Sequence, residues 1–88
     1  MISIKIIDKD SFNVTIDKDS KTEHIVSLND QLHQDITNGK ITKTDLVAES
    51  FKFLLKRESN QSILKKFDLK VINQYFPEYI DEIKKIIL

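Results

Sequence analysis

Between Ile2 and Leu28 large apolar residues return at every second position: Ile2, Ile4 and Ile6, then Phe12, Val14 and Ile16, then Val26 and Leu28. A period of two is the spacing of side chains on one face of a β-strand. Each run therefore reads as a strand with one apolar and one polar face. The runs are separated by Asp8-Lys9-Asp10-Ser11 and by Asp17-Lys18-Asp19-Ser20-Lys21, residues that favour tight turns. The segment Ile7-Asp8-Lys9-Asp10-Ser11 recurs as Ile16-Asp17-Lys18-Asp19-Ser20, one strand and turn later. Two copies are too few for a solenoid. The pattern predicts a three-stranded antiparallel β-meander over about residues 2–28. Such a sheet has one apolar face, and something must cover it.

Helical spacing supplies the cover. Asn29 or Asp30 can cap a short helix bearing Leu32 and Ile36, which Asn38-Gly39 stops. Thr42 or Thr44 opens a longer one, with Asp45 in its first turn and Leu46, Val47, Phe51, Leu54 and Leu55 in a broad stripe. This is the expected central helix, with Phe51 in the core. Ser59-Asn60 ends it and caps a third, with Ile63, Leu64 and Phe67 inward, and Asp68 caps a fourth through Leu69, Val71, Ile72, Tyr75 and Phe76. Pro77 disfavours helix at Phe76 and suits the start of a last helix with Ile80, Ile83 and Ile87 on its apolar face. The fold class expected is α+β: the meander, then four to five short helices packed on one face. All 88 residues fit a single domain, 1–88.

Composition removes whole classes of function. The chain is 40% hydrophobic and 32% charged, within the range of folded soluble proteins. It has no cysteine, which excludes disulfide scaffolds, thiol chemistry and Cys-ligated zinc or iron. With one glycine, Gly39, a Walker loop or dinucleotide fingerprint cannot be built. No apolar run approaches the ~20 residues a membrane span needs, and the first residues lack the basic and apolar regions of a signal peptide. A cytoplasmic location is the expectation.

Two Asp-x-Asp pairs suggest calcium, but an EF-hand loop counted from Asp8 puts Asn13 and Asp19 where glycine and a bidentate glutamate belong, and from Asp17 it puts Thr22 and Leu28 there. Both copies read as hairpin turns. His24 and His33 have no second ligand three or four residues away, and zinc needs three or four convergent ones. Both are expected at the surface or partly packed, with no catalytic, metal or cofactor site.

Charge is uneven although its sum is zero. Residues 1–38 carry four lysines against seven acids, residues 39–76 eight Lys or Arg against four acids, and residues 77–88 two lysines against three acids. The basic middle contains Lys52, Lys56, Arg57, Lys65, Lys66 and Lys70, a candidate patch for an acidic partner or a solvated face. Neutral overall charge argues against indiscriminate nucleic-acid or membrane binding. At the other end, Tyr75, Tyr79, Ile83, Ile86 and Leu88 form a candidate interface, because tyrosine favours protein contacts and a terminus is seldom buried in its own core.

Two resemblances add to this. Phe51-Lys52-Phe53-Leu54-Leu55-Lys56-Arg57-Glu58, Ser62-Ile63-Leu64, Phe67-Asp68-Leu69, Val71-Ile72 and Tyr75-Phe76-Pro77-Glu78-Tyr79 resemble a group of small uncharacterised prokaryotic proteins. That implies a standalone α+β domain and no particular activity. His24 to Leu32 followed by Thr42 to Leu55 is similar to the strand–helix–helix order of ribbon–helix–helix repressors. It implies a strand that pairs with a dimer mate in DNA, hence a small DNA-binding regulator or antitoxin-like protein. The leading expectation is a non-enzymatic protein–protein interaction module that pairs with itself as a homodimer.

Overall fold

The alternation of the first third becomes three strands: β1 (Ile2–Asp8), β2 (Ser11–Asp17) and β3 (Lys21–Ser27). A computed structural model describes residues 1–87. The strands pair antiparallel in chain order, Ile4 opposite Val14 and Val14 opposite His24, so the even-numbered residues share one face. Phe12, Val14, Ile16, His24, Val26 and Leu28 are all buried there, while Ser3, Lys5 and Glu23 point to the open face. The meander stands as expected.

The helices cover that apolar face. In α1 (Asp30–Thr37) the Asn29 side chain accepts from the Leu32 N–H at 2.8 Å, which settles the cap on Asn29. Asn38 and Gly39 leave the helix at φ 52° and 75°, the left-handed region that suits these residues. In α2 (Lys43–Leu55) the cap is Thr42, whose hydroxyl accepts from the Asp45 N–H at 3.1 Å. This helix buries Leu46, Val47, Ser50, Phe51, Phe53 and Leu54, and is the central element of the core.

Beyond it the expectation is corrected. Instead of a helix over Ile63 to Phe67 there is one 3₁₀ turn (Asn60–Ser62), then an extended segment ending in β4 (Lys66–Asp68). β4 lies parallel to β3, giving a four-stranded mixed sheet in the order β1-β2-β3-β4. Parallel neighbours need a crossover, and α1 and α2 provide it. The reason is hydrogen bonding: the Ile25 N–H donates to the Lys65 carbonyl (2.7 Å) and the Leu69 N–H to the Ser27 carbonyl (2.9 Å). Left as an edge, β3 would expose those groups unpaired. Two short helices follow, α3 (Val71–Tyr75) and α4 (Tyr79–Ile87), parted at Phe76, whose φ of −130° and ψ of 88° are non-helical as a residue before proline prefers. No helix among the described residues is long and apolar enough to cross a membrane.

The first turn is tied to the helices by charge. Lys43 reaches Asp10 at 2.8 Å and Asp30 at 2.7 Å, and Lys9 reaches Asp30 at 2.9 Å. Hydrogen bonds from Lys43 and then Lys9 hold the Asp30 carboxyl at about 2, against an ordinary 3.8. A depressed carboxyl adds stability that is complete above its unfolded value and is lost as pH falls through its folded one. The acid side of the stability profile should therefore fall between about pH 4 and pH 2, and Asp30→Asn should flatten it. Melting temperature against pH, at low and high salt, checks this. Because Asp30 is exposed, high salt should erase most of the difference. An unchanged acid limb in Asp30→Asn would contradict it.

Candidate protein interface

The expected C-terminal interface divides. Tyr79 and Ile83 are fully buried, so they belong to the chain's own core and offer no surface to a partner. Tyr75 and Ile86 remain exposed, and Leu88 lies outside the described residues. The two exposed residues line separate hollows. Tyr75 borders a small apolar one of about 40 Å³ with Ile63, Leu64 and Phe67. Ile86 borders a cleft of about 480 Å³ with Lys18, Lys52, Lys56 and Arg57.

Tyr79 is inside because its hydroxyl has a partner. The Ser50 hydroxyl donates to the Leu46 carbonyl at 2.7 Å and so accepts from the Tyr79 hydroxyl. Burial pushes the Tyr79 phenol up, only partly offset by that bond with Ser50. The ring meets Phe53 edge-on at 5.2 Å. Tyr79→Phe, which keeps the ring and drops one bond, should cost about 1 kcal/mol; Ser50→Ala, which strands the phenol, about 1–3 kcal/mol. Urea unfolding of both variants gives the order, and Tyr79→Phe as the more damaging one would contradict the bond.

The basic patch also divides. Lys52, Lys56 and Arg57 line the cleft beside Ile86, whereas Lys66 is in β4 and Lys65 and Lys70 flank it. Arg57 stacks over the Phe53 ring at 3.6 Å and reaches Glu78 at 3.4 Å, and Lys52 pairs with Glu49 at 3.3 Å. Part of this charge is thus spent within the molecule.

His24 departs from expectation most. It is only 1% exposed. Its Nδ1 lies 2.8 Å from the Leu64 carbonyl and its Nε2 2.9 Å from the Thr22 hydroxyl. A carbonyl only accepts, so Nδ1 donates and Nε2 accepts from Thr22. Asn60 Nδ2 donates to the same Thr22 oxygen (3.0 Å) and to the Ser20 carbonyl (2.9 Å). A hydroxyl beside an imidazole is also the start of a nucleophile–base pair. Here the ring is enclosed and its far nitrogen is held by backbone, so the arrangement fastens β3 to the 60–64 segment. The signal was present, since His24 falls in phase with Val14 and Val26. His33 is half-buried, with Nε2 2.6 Å from the Ile41 carbonyl.

The strand that resembles the ribbon of ribbon–helix–helix repressors lies inside the sheet. It is β3, which is paired on both sides, leaving no edge for a second chain.

The free long edge is β1, and three of the exposed large apolar residues lie in it or just before it, the others among the described residues being Leu64, Tyr75 and Ile86. Met1 is 85% exposed, Ile6 67% and Ile7 53%, whereas Ile2 and Ile4 pack partly on the core beneath α2. Backbone directions follow from the first pair of bonds. The Met1 amine donates to the Asp17 carbonyl (2.7 Å) and the Asp17 N–H to the Met1 carbonyl (2.9 Å), which makes this a hydrogen-bonded pair. Pairs alternate along an antiparallel ladder, so Ser3 and Lys5 also bond to β2. The N–H and C=O groups of Ile2, Ile4 and Ile6 then face away from the sheet. A long, apolar, unpaired edge is what folded proteins ordinarily blunt or cover. Lys5 is the one charge in the run from Met1 to Ile7. The alternation assigns Ile6 to the core face, but the Ile6-Ile7 doublet falls where the strand register shifts before Asp8, and both side chains are exposed.

Comparison of the chain with protein-family models, with curated proteins and with solved structures yields no match.

Proposed function

We propose that this protein is a small interaction module without catalytic activity, and that its first partner is another copy of itself. The observation that carries the reading is the β1 edge, with Ile6 and Ile7 exposed beside unpaired backbone groups. Removing that apolar surface from water is favourable at about 25 cal/mol per Å². Closed two-fold pairs are the commonest assembly of identical chains. The side chains best suited to chemistry support the non-catalytic part. Thr22, His24, Ser50 and Tyr79 are tied into hydrogen bonds that hold elements together.

Sedimentation equilibrium of the full chain tests the proposal. A monomer–dimer equilibrium in the micromolar range is the expected result, shifted toward monomer by Ile6→Lys. A strict monomer at high micromolar concentration would contradict it. Binding to random duplex DNA that weakens steeply with salt would favour a DNA-binding role instead.

A further inference from the structure

We infer that two copies join β1 to β1 about a two-fold axis at Ile4, so that their four-stranded sheets run on as one sheet of eight strands. This rests on the self-associating reading and deepens it by fixing the surface and the register.

The outward N–H and C=O groups belong to Ile2, Ile4 and Ile6, so these residues must form the hydrogen-bonded pairs across the new junction. A two-fold axis at Ile4 sets Ile4 against its own copy and Ile2 against the partner's Ile6. All three outward residues are then bonded in both directions, about six hydrogen bonds in total.

Side chains agree with this register and with no neighbouring one. On the core face the exposed Ile6 meets the partner's Ile2. On the open face Lys5 meets the partner's Ser3. Ile7 sits at the register shift between Ile6 and Asp8, at the end of the new junction, so the fit rests on Ile6 with Ile2 and on the absence of opposed like charges. Centring the axis on Lys5 would set two ammonium groups directly opposite each other, which destabilises a strand pair, and would place Ile2 against Asp8. Centring it on Ser3 would set the Lys5 ammonium against the apolar side chain of the partner's Met1. The axis is perpendicular to the sheet, so both helix layers lie on one side. The helix side is open over the Ile6 end, where Ile6 stays 67% exposed, whereas α2 lies over Ile2 and Ile4 and must clear its copy across the axis.

Disulfide trapping tests the register, and the chain has no cysteine to confuse it. Ser3 and Lys5 are both exposed, so Ser3→Cys and Lys5→Cys leave the core untouched. The register makes Ser3 and the partner's Lys5 a non-hydrogen-bonded pair, with Cα atoms about 4.5 Å apart, within disulfide reach. Identical positions are offset by two residues, about 7–8 Å, and out of reach. Under mild oxidation a mixture of the two variants should give a covalent dimer, whereas each alone should not. Either variant linking equally well to itself, or no linkage in the mixture, overturns the register. Sedimentation of the unmodified chain separates the two failures. A dimer without the mixed disulfide overturns only this register, and a strict monomer overturns the register together with the self-associating reading.

Discussion

Phe51→Ala should cost about 3–5 kcal/mol, a large share of the roughly 5–15 kcal/mol that holds a domain folded. Phe51 is fully buried on the inner stripe of α2. Its ring lies 5.6 Å from the His24 ring and 6.0 Å from that of Phe67. It therefore touches the meander through β3 and the late strand through β4, across the crossover helix. Truncation opens a cavity at the meeting point of three elements, where no single side chain can fill in. A domain of this size buries only roughly 60–65% of its unfolded surface and has little stability in reserve. Urea unfolding with Lys52→Ala as an exposed control is the check. A Phe51→Ala midpoint equal to the control would mean that this face of α2 is not the core.

His24→Leu should cost about 2–4 kcal/mol, although it replaces a polar residue in the core with an apolar one of similar size. The leucine fills the volume beside Phe51 but removes the donor to the Leu64 carbonyl and the acceptor of the Thr22 hydroxyl, which keeps only its bond from Asn60. Of that cost, these two part-buried bonds account for about 0.5–1.5 kcal/mol each and the lost ring packing on Phe51 for the rest. The damage should be local before it is global. The 60–65 segment is held to β3 by His24, by Asn60 and by the bond from the Ile25 N–H to the Lys65 carbonyl. Amide exchange at Ile25 should quicken more than at Ser3 or Lys5, which belong to β1 and pair with β2 rather than with β3. A stabilised His24→Leu variant, or uniform quickening, would show that the histidine is a space-filler rather than a fastener.

How much of this is legible in the sequence depends on how many residues each feature spans. The meander is plain because its period of two runs through Ile2–Ile6 and Phe12–Ile16 and returns at Val26 and Leu28, with turn formers between. The caps of α1 and α2 are local chemistry, an Asn or Thr three residues before the amide it receives, and they read correctly to within two positions. β4 is different. It pairs only three residues, too short for an alternation, and Ile63, Leu64 and Phe67 also suit one face of a helix. What decides between them is the need of β3 for a neighbour on its second side, which no local pattern records. Tyr79 suits either an interface or an aromatic core by sequence; Ser50, lying in the apolar stripe of α2, is the sign of a buried acceptor for its hydroxyl. Of the expected C-terminal interface, only Tyr75 and Ile86 are exposed among the described residues. Ile83 and Tyr79 supply core, whereas Ile6 and Ile7 break strand alternation and are left outside.

The central claim is that β1 is an edge in the single chain and an interior strand in the pair. Amide exchange in β1, followed over a wide range of protein concentration, tests this most directly. Ser3 and Lys5 amides bond to β2 and should be protected at every concentration. The Ile2, Ile4 and Ile6 amides should exchange freely in dilute solution and become protected together as concentration rises through the dimer range. If those three amides exchange at the same unprotected rate throughout, β1 remains an open edge and the account of this protein as a self-pairing module is wrong.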